Sequence, residues 1–127
     1  MAVVGVGVDI VQISRIENLE RKYGERFLDR VYHRCERQIL EGLGRRAEFL
    51  AGRFACKEAA KKAIGEFRGR GVGWKEIYVV NRPSGRPEIH FEGRAAELAK
   101  ELGVCAGHVS ISHDGGLAVA QVILESV

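Results

Sequence analysis

Three groups of residues carry side chains whose type and spacing could do chemistry. The first is Gly7-Val8-Asp9-Ile10, where a carboxylate ends an apolar, β-branched run that also holds Gly5. A carboxylate on a buried strand is costly unless it meets a cation, an arginine or several backbone donors. The third glycine of a dinucleotide-binding loop is absent. The second group is Arg53 to Lys62, with Glu58 and Lys62 four residues apart. At about 100° per residue, Ala47, Ala51, Phe54 and Ala55 share one helical arc, and Glu58 falls in its middle. A glutamate among apolar neighbours says more than a Glu–Lys pair at that spacing, which alone adds about 0.3–0.5 kcal/mol to a helix. The third group is His108 to Asp114. Ser112 and His113 are adjacent, so on a strand they face opposite ways and cannot act as nucleophile and base on one another. His113, beside a glycine turn, suits a phosphate ligand or a proton donor.

Local pattern supplies elements to hold these groups. Val3–Ile10 reads as a buried strand, with Val4, Val6 and Val8 on one face and Gly5, Gly7 and Asp9 on the other; something must approach the glycine face closely. Ser14-Arg15-Ile16-Glu17 has the form of a capping box, and Ile13, Ile16, Leu19 and Tyr23 continue a helix to Gly24. A short helix or turn is expected at 27–32 and another helix at 36–43. Residues 45–64 form the strongest helix, closed by Gly65, followed by a glycine- and arginine-rich loop at 66–73. Strands at 77–81 and 88–90 flank a Pro-Ser-Gly turn, a helix spans 94–102, and a hairpin joins 108–113 to 117–124 through Asp114-Gly115-Gly116. The fold class is α+β: a small, mainly antiparallel sheet packed with one long helix, in a single domain over 1–127.

Composition narrows the functions available. The chain has 127 residues, 46% of them hydrophobic and 29% charged, the balance of a globular protein. No apolar run approaches a membrane span, and the N-terminus has neither the basic region nor the cleavage site of a secretory signal. Cys35, Cys56 and Cys105 form no pair of zinc or disulfide spacing, so a reducing cytoplasm is expected. The net charge of +3 is modest, but the positive charge is concentrated in residues 15–75. Such a basic half suits an anionic partner. Nucleic acid is a poor candidate, because the stacking aromatics of single-strand binders are sparse. A Ser–His hydrolase lacks a nucleophile elbow.

Taken together, Val6-Gly7-Val8-Asp9-Ile10 with Arg15-Ile16-Glu17, Phe49 to Ala59 with Lys62-Ala63, and His108 to His113 resemble the holo-acyl-carrier-protein synthases, the short bacterial 4′-phosphopantetheinyl transferases. Gly71-Val72-Gly73-Trp74 and Gly85-Arg86-Pro87 also resemble that family's loops. The resemblance implies a 4′-phosphopantetheinyl transferase fold and transfer of phosphopantetheine from coenzyme A to a serine of apo-acyl carrier protein, releasing adenosine 3′,5′-bisphosphate, in support of fatty acid biosynthesis. It implies Asp9, Glu58 and Lys62 as catalytic residues, with Asp9 and Glu58 holding Mg²⁺ or Mn²⁺. Arg53, Lys62, Ser112 and His113 would bind coenzyme A. Arg15, Arg21, Lys22 and Arg26 would dock the acidic carrier. Members of the family are trimers whose active sites are shared between neighbouring subunits. No nucleic acid or membrane is implied. Oxygen-rich Mg²⁺ chemistry fits the residues, since that ion takes one or two carboxylates and completes its shell with water and substrate phosphates.

Overall fold

The computed structural model describes residues 1–65 and 71–127. Among the described residues five strands, β1 (Ala2–Gln12), β2 (Ile77–Asn81), β3 (Pro87–Phe91), β4 (Val104–Asp114) and β5 (Leu117–Ser126), form two antiparallel sheets. One has the order β1-β5-β4; the other is the β2–β3 hairpin. The helices among the described residues are α1 (Ile13–Tyr23), α2 (Glu25–Val31), α3 (Arg34–Leu40), α4 (Arg46–Ile64) and α5 (Gly93–Glu101). The α+β expectation, with one long helix on a small antiparallel sheet, describes this architecture. The expected loop at 66–73 falls outside the described residues over 66–70.

Alternation along β5 explains the main layer. Ala118, Ala120, Val122 and Leu124 are buried and face α4, and each stands in a cross-strand row with residues of β1 and β4. The row through Ala120 carries Asp9 and Ile111; the row through Ala118 carries Val11 and His113. Small residues let the helix come close. An ideal Cβ on Gly7 would lie 1.8 Å from the Ala59 carbonyl oxygen, and one on Gly5 would lie 1.9 Å from that of Ala63. The close neighbour expected on the glycine face is therefore the backbone of α4. Gly5 and Gly7 make room for the helix, not for a ligand.

Two helix starts differ from the sequence pattern. Ser14 does not cap α1: the helix begins at Ile13, with Gln12 at the cap position and no side-chain hydrogen bond there. Pairing of β1 with β5 runs to Gln12 opposite Leu117, and the Gly116 carbonyl accepts the Ile13 N–H at 2.9 Å, so the hairpin turn satisfies the first donor of the helix. The capping box instead forms at α3. His33 Nδ1 accepts the Cys35 N–H, and Glu36 Oε1 accepts the His33 N–H, each at 3.0 Å.

Candidate active site

Asp9, Glu58 and Lys62 stand along one edge of α4, where the helix crosses β1. Asp9 follows Gly5 and Gly7 on the helix-facing side of β1 and is half-buried. Its Oδ1 lies 3.2 Å from Lys62 Nζ, which also donates to the Val8 carbonyl at 3.1 Å. Lys62 therefore reaches across to the strand instead of back to Glu58, its expected helical partner. Glu58 sits one turn before Lys62, a spacing that places their Cβ atoms about 5–6 Å apart on the same edge. Glu58 is half-buried and Lys62 exposed, so they lie at the rim of the helix's apolar arc, not in its middle. The buried small face is formed by Gly52, Ala55, Ala59 and Ala63. Ala47 is only half-buried, because it lies in the first turn of α4.

The donor set suits a hard cation. Asp9 and Glu58 offer carboxylate oxygens, and no group of three or more His, Cys, Asp or Glu side chains able to hold a metal occurs among the described residues. Two carboxylates with room for substrate oxygens is the usual arrangement for Mg²⁺.

The other residues expected to touch coenzyme A do not converge on this edge within one chain. Arg53 is nine residues before Lys62, about 180° around the helix. It is 7% exposed, its guanidinium donates to Asn81 Oδ1 at 3.0 Å and lies 4.5 Å from the Phe49 ring centroid, and its Nε has no partner among the described residues. Burial pulls this guanidinium below its ordinary pKa. His113 packs against the N-terminal half of α4 over Gly52, where its Nε2–H donates to the Glu48 carbonyl at 2.9 Å. Gly52 precedes Glu58 by about 9 Å of helix rise. His113 lines a cleft of about 1020 Å³ together with Ser14, Arg45, Arg46, Glu48 and Gly116. Ser112 is exposed and, by strand alternation, faces the outer side of the sheet.

The basic residues of the first helices are gathered on the surface. Arg15, Arg21, Lys22 and Arg26 are all exposed. Leu19, Tyr23 and Phe27 form an apolar groove of about 350 Å³ between Arg26 and Arg30. Arg15 reaches back toward α4, with its guanidinium 5.5 Å from the Phe54 centroid. Phe54 stacks on Trp74 at 4.9 Å, and Lys61 Nζ lies 3.8 Å from the Trp74 centroid. This cation–aromatic cluster escaped the sequence reading, although the seven-residue step from Phe54 to Lys61 marks one stripe of α4.

A second feature escaped it too. Lys57, next to Glu58, is fully buried in an ion pair with Glu36. Burial lowers the Lys57 pKa and the Glu36 carboxylate opposes that shift. Neighbouring Cys56 is buried as well, and its thiol is pushed up to about 12.

Known proteins match this chain along nearly its whole length. A sequence model described as the 4′-phosphopantetheinyl transferase superfamily matches residues 5–120. A holo-[acyl-carrier-protein] synthase from Vibrio vulnificus is 42% identical over 126 residues, which is 99% of this chain and 100% of the relative. The crystal structure of a holo-[acyl-carrier-protein] synthase from Neisseria meningitidis is similar with a TM-score of 0.89 at 30% identity, covering 98% of this chain and 100% of that one. A synthase from Bacillus anthracis, solved in complex with coenzyme A (3′,5′-ADP), has a TM-score of 0.80 at 38% identity and covers 98% of each chain.

Proposed function

The chain belongs to the holo-[acyl-carrier-protein] synthases of the 4′-phosphopantetheinyl transferase superfamily, and from that premise we propose that it moves phosphopantetheine from coenzyme A to a serine of apo-acyl carrier protein. The observation that carries the reading is the meeting of Asp9 with Lys62 at 3.2 Å across β1 and α4, with Glu58 one turn before on the same edge. Coenzyme A presents a pyrophosphate, and its transfer chemistry needs charge neutralised more than it needs covalent help. Asp9 and Glu58 would hold Mg²⁺ or Mn²⁺, and the ion would supply Lewis-acid stabilisation of the charge that develops on the phosphoryl oxygens.

This chain's own side chains do the rest. The carrier's serine oxygen bonds to the pantetheine-side phosphorus, and the bond from that phosphorus to the bridging oxygen breaks, releasing adenosine 3′,5′-bisphosphate. Lys62, already beside Asp9, would offer its ammonium to the pyrophosphate as negative charge gathers there. The serine proton would pass to Glu58 or to a water held beside it at this edge. Arg53 and His113 meet the nucleotide phosphates and Ser112 adds a hydroxyl, some from a neighbouring subunit, since within one chain they lie apart from Glu58.

Two surface features support the partners. The Leu19, Tyr23 and Phe27 groove with Arg26 and Arg30, flanked by Arg15, Arg21 and Lys22, fits an acidic amphipathic helix. On the sheet's outer face Val6, Val8 and Ile10 are 55–59% exposed and contiguous along β1. A strip of that kind is covered in an assembly, and a homotrimer with shared sites would cover it. We place the protein in the cytoplasm, serving fatty acid biosynthesis. No helix among the described residues is long and apolar enough to cross a membrane.

Mass spectrometry of apo-carrier protein after incubation with coenzyme A, Mg²⁺ and this protein tests the activity. The expected result is a phosphopantetheine-sized mass gain that a chelator abolishes. An unmodified carrier, with a known synthase active on the same sample, overturns the assignment.

A further inference from the structure

Helix α4 meets the sheet through a face with no side-chain teeth. Gly52, Ala55, Ala59 and Ala63 present it, and the Ala59 and Ala63 carbonyls lie against Gly7 and Gly5. Such a surface allows close approach but does little to fix the rotation of the helix or its position along its axis. Those two coordinates decide where Glu58 and Lys62 point. At the ~5–6 Å radius of helical side chains, a rotation of about 20° moves a carboxylate by about 2 Å. Misplacement of about 1 Å at a reacting centre can already cost 10²-fold in rate.

The opposite side of α4 carries a fixed link. Lys57 and Glu36 are both fully buried. Lys57 Nζ donates to Glu36 Oε1 at 2.6 Å and to the Ile77 carbonyl at 2.5 Å, and lies 5.7 Å from the Tyr32 ring centroid. The Glu36 carboxylate also accepts the Val79 N–H at 3.1 Å and the His33 N–H at 3.0 Å. One ion pair thus joins α4, α3, β2 and the cap of α3, with directional partners on every side. Buried pairs of this kind add little stability over apolar residues of equal volume, so stability alone does not account for this one.

We infer that the Lys57–Glu36 pair is a positioning device: it sets the rotation of α4 so that Glu58 and Lys62 meet Asp9. Lys57 acts through its neighbour in the chain and touches no substrate. The inference rests on the proposed role of Asp9 and Glu58 as carboxylate ligands.

The test uses the full chain carrying Lys57→Met together with Glu36→Gln, which removes both buried charges and leaves none unpaired. Folding is read by circular dichroism and melting. Mn²⁺ binding with coenzyme A present is read by loss of the free-ion paramagnetic signal, and transfer is followed as kcat and KM. The expected result is a cooperatively folded protein whose Mn²⁺ affinity and kcat at fixed metal each fall about tenfold or more. The KM for carrier protein stays unchanged, because the α1–α2 groove is untouched, and excess Mn²⁺ restores part of the lost turnover. A folded double variant with wild-type Mn²⁺ affinity and turnover overturns the inference. If the double variant does not fold, Lys57→Arg, which keeps a cation for Glu36 but shifts its position, decides by the same readouts, and failure of both to fold assigns the pair a purely structural role. Wild-type protein that binds Mn²⁺ but modifies no carrier overturns the functional reading, while the Mn²⁺ measurement still decides the positioning role.

Discussion

Lys57 and Glu58 are neighbours in the chain and opposites in environment. One is sealed among α3, β2 and Tyr32; the other stands half-buried at the rim of the helix's small-residue face. The helical repeat alone separates them, turning successive side chains by about 100°. Their substitutions should therefore part company. Glu58→Gln keeps the shape and removes the charge, so the melting temperature should stay near that of the wild type while turnover falls by about 10²–10⁴. A time course of carrier modification beside a thermal melt checks both. Wild-type turnover in the folded variant would remove Glu58 from the mechanism. Cys56, one residue before Lys57, takes no part: a thiol pushed up to about 12 by burial carries almost no thiolate at neutral pH.

At the scale of elements, the contact of β1 with α4 sets how closely the helix approaches the strand that carries Asp9, and glycine makes that contact possible. Backbone meets backbone where Gly7 faces Ala59 and Gly5 faces Ala63, so an added methyl has nowhere to go without moving the helix. Gly7→Ala should cost about 3 kcal/mol, the upper part of the usual overpacking range, which lowers the melting point by about 10 °C. Urea and thermal unfolding measure it, and a variant as stable as the wild type would mean that β1 and α4 are not packed this closely. Most elements were legible in the sequence, because apolar periodicity and glycine punctuation report local structure. The long helix, the β2 strand and the Gly115-Gly116 hairpin stand close to where those patterns put them. The cap of α1 was misread, because the Gly116 carbonyl that satisfies Ile13 comes from a hairpin about a hundred residues away. The His33 cap of α3 went unseen, because no Ser, Thr, Asp or Asn marked it.

At the scale of the molecule, a large apolar strip among the described residues is uncovered. Val6, Val8 and Ile10 stand on the outer face of the sheet with more than half their surface open, and the residues proposed for coenzyme A are spread over two sides of α4. The proposed trimer would meet both, with a neighbouring copy covering β1 and completing the site. Val8→Glu should then dissociate the assembly, as sedimentation velocity reads, and lower transfer in step with the loss of oligomer. A wild-type protein that sediments as a monomer, or a variant that remains assembled, counts against shared sites. From the sequence came the candidates: Asp9 stood out because charge on an apolar strand is expensive and has to be answered by a partner, and Glu58 and Lys62 stood out by their spacing on the long helix. Which partner answers was decided only in three dimensions. Lys62 turned to Asp9 instead of Glu58, Lys57 found Glu36, and the glycines of β1 received a helix instead of a ligand. Local chemistry sets what a side chain requires, whereas the group that meets it is brought by segments 20 to 50 or more residues distant, and no short-range pattern records their approach.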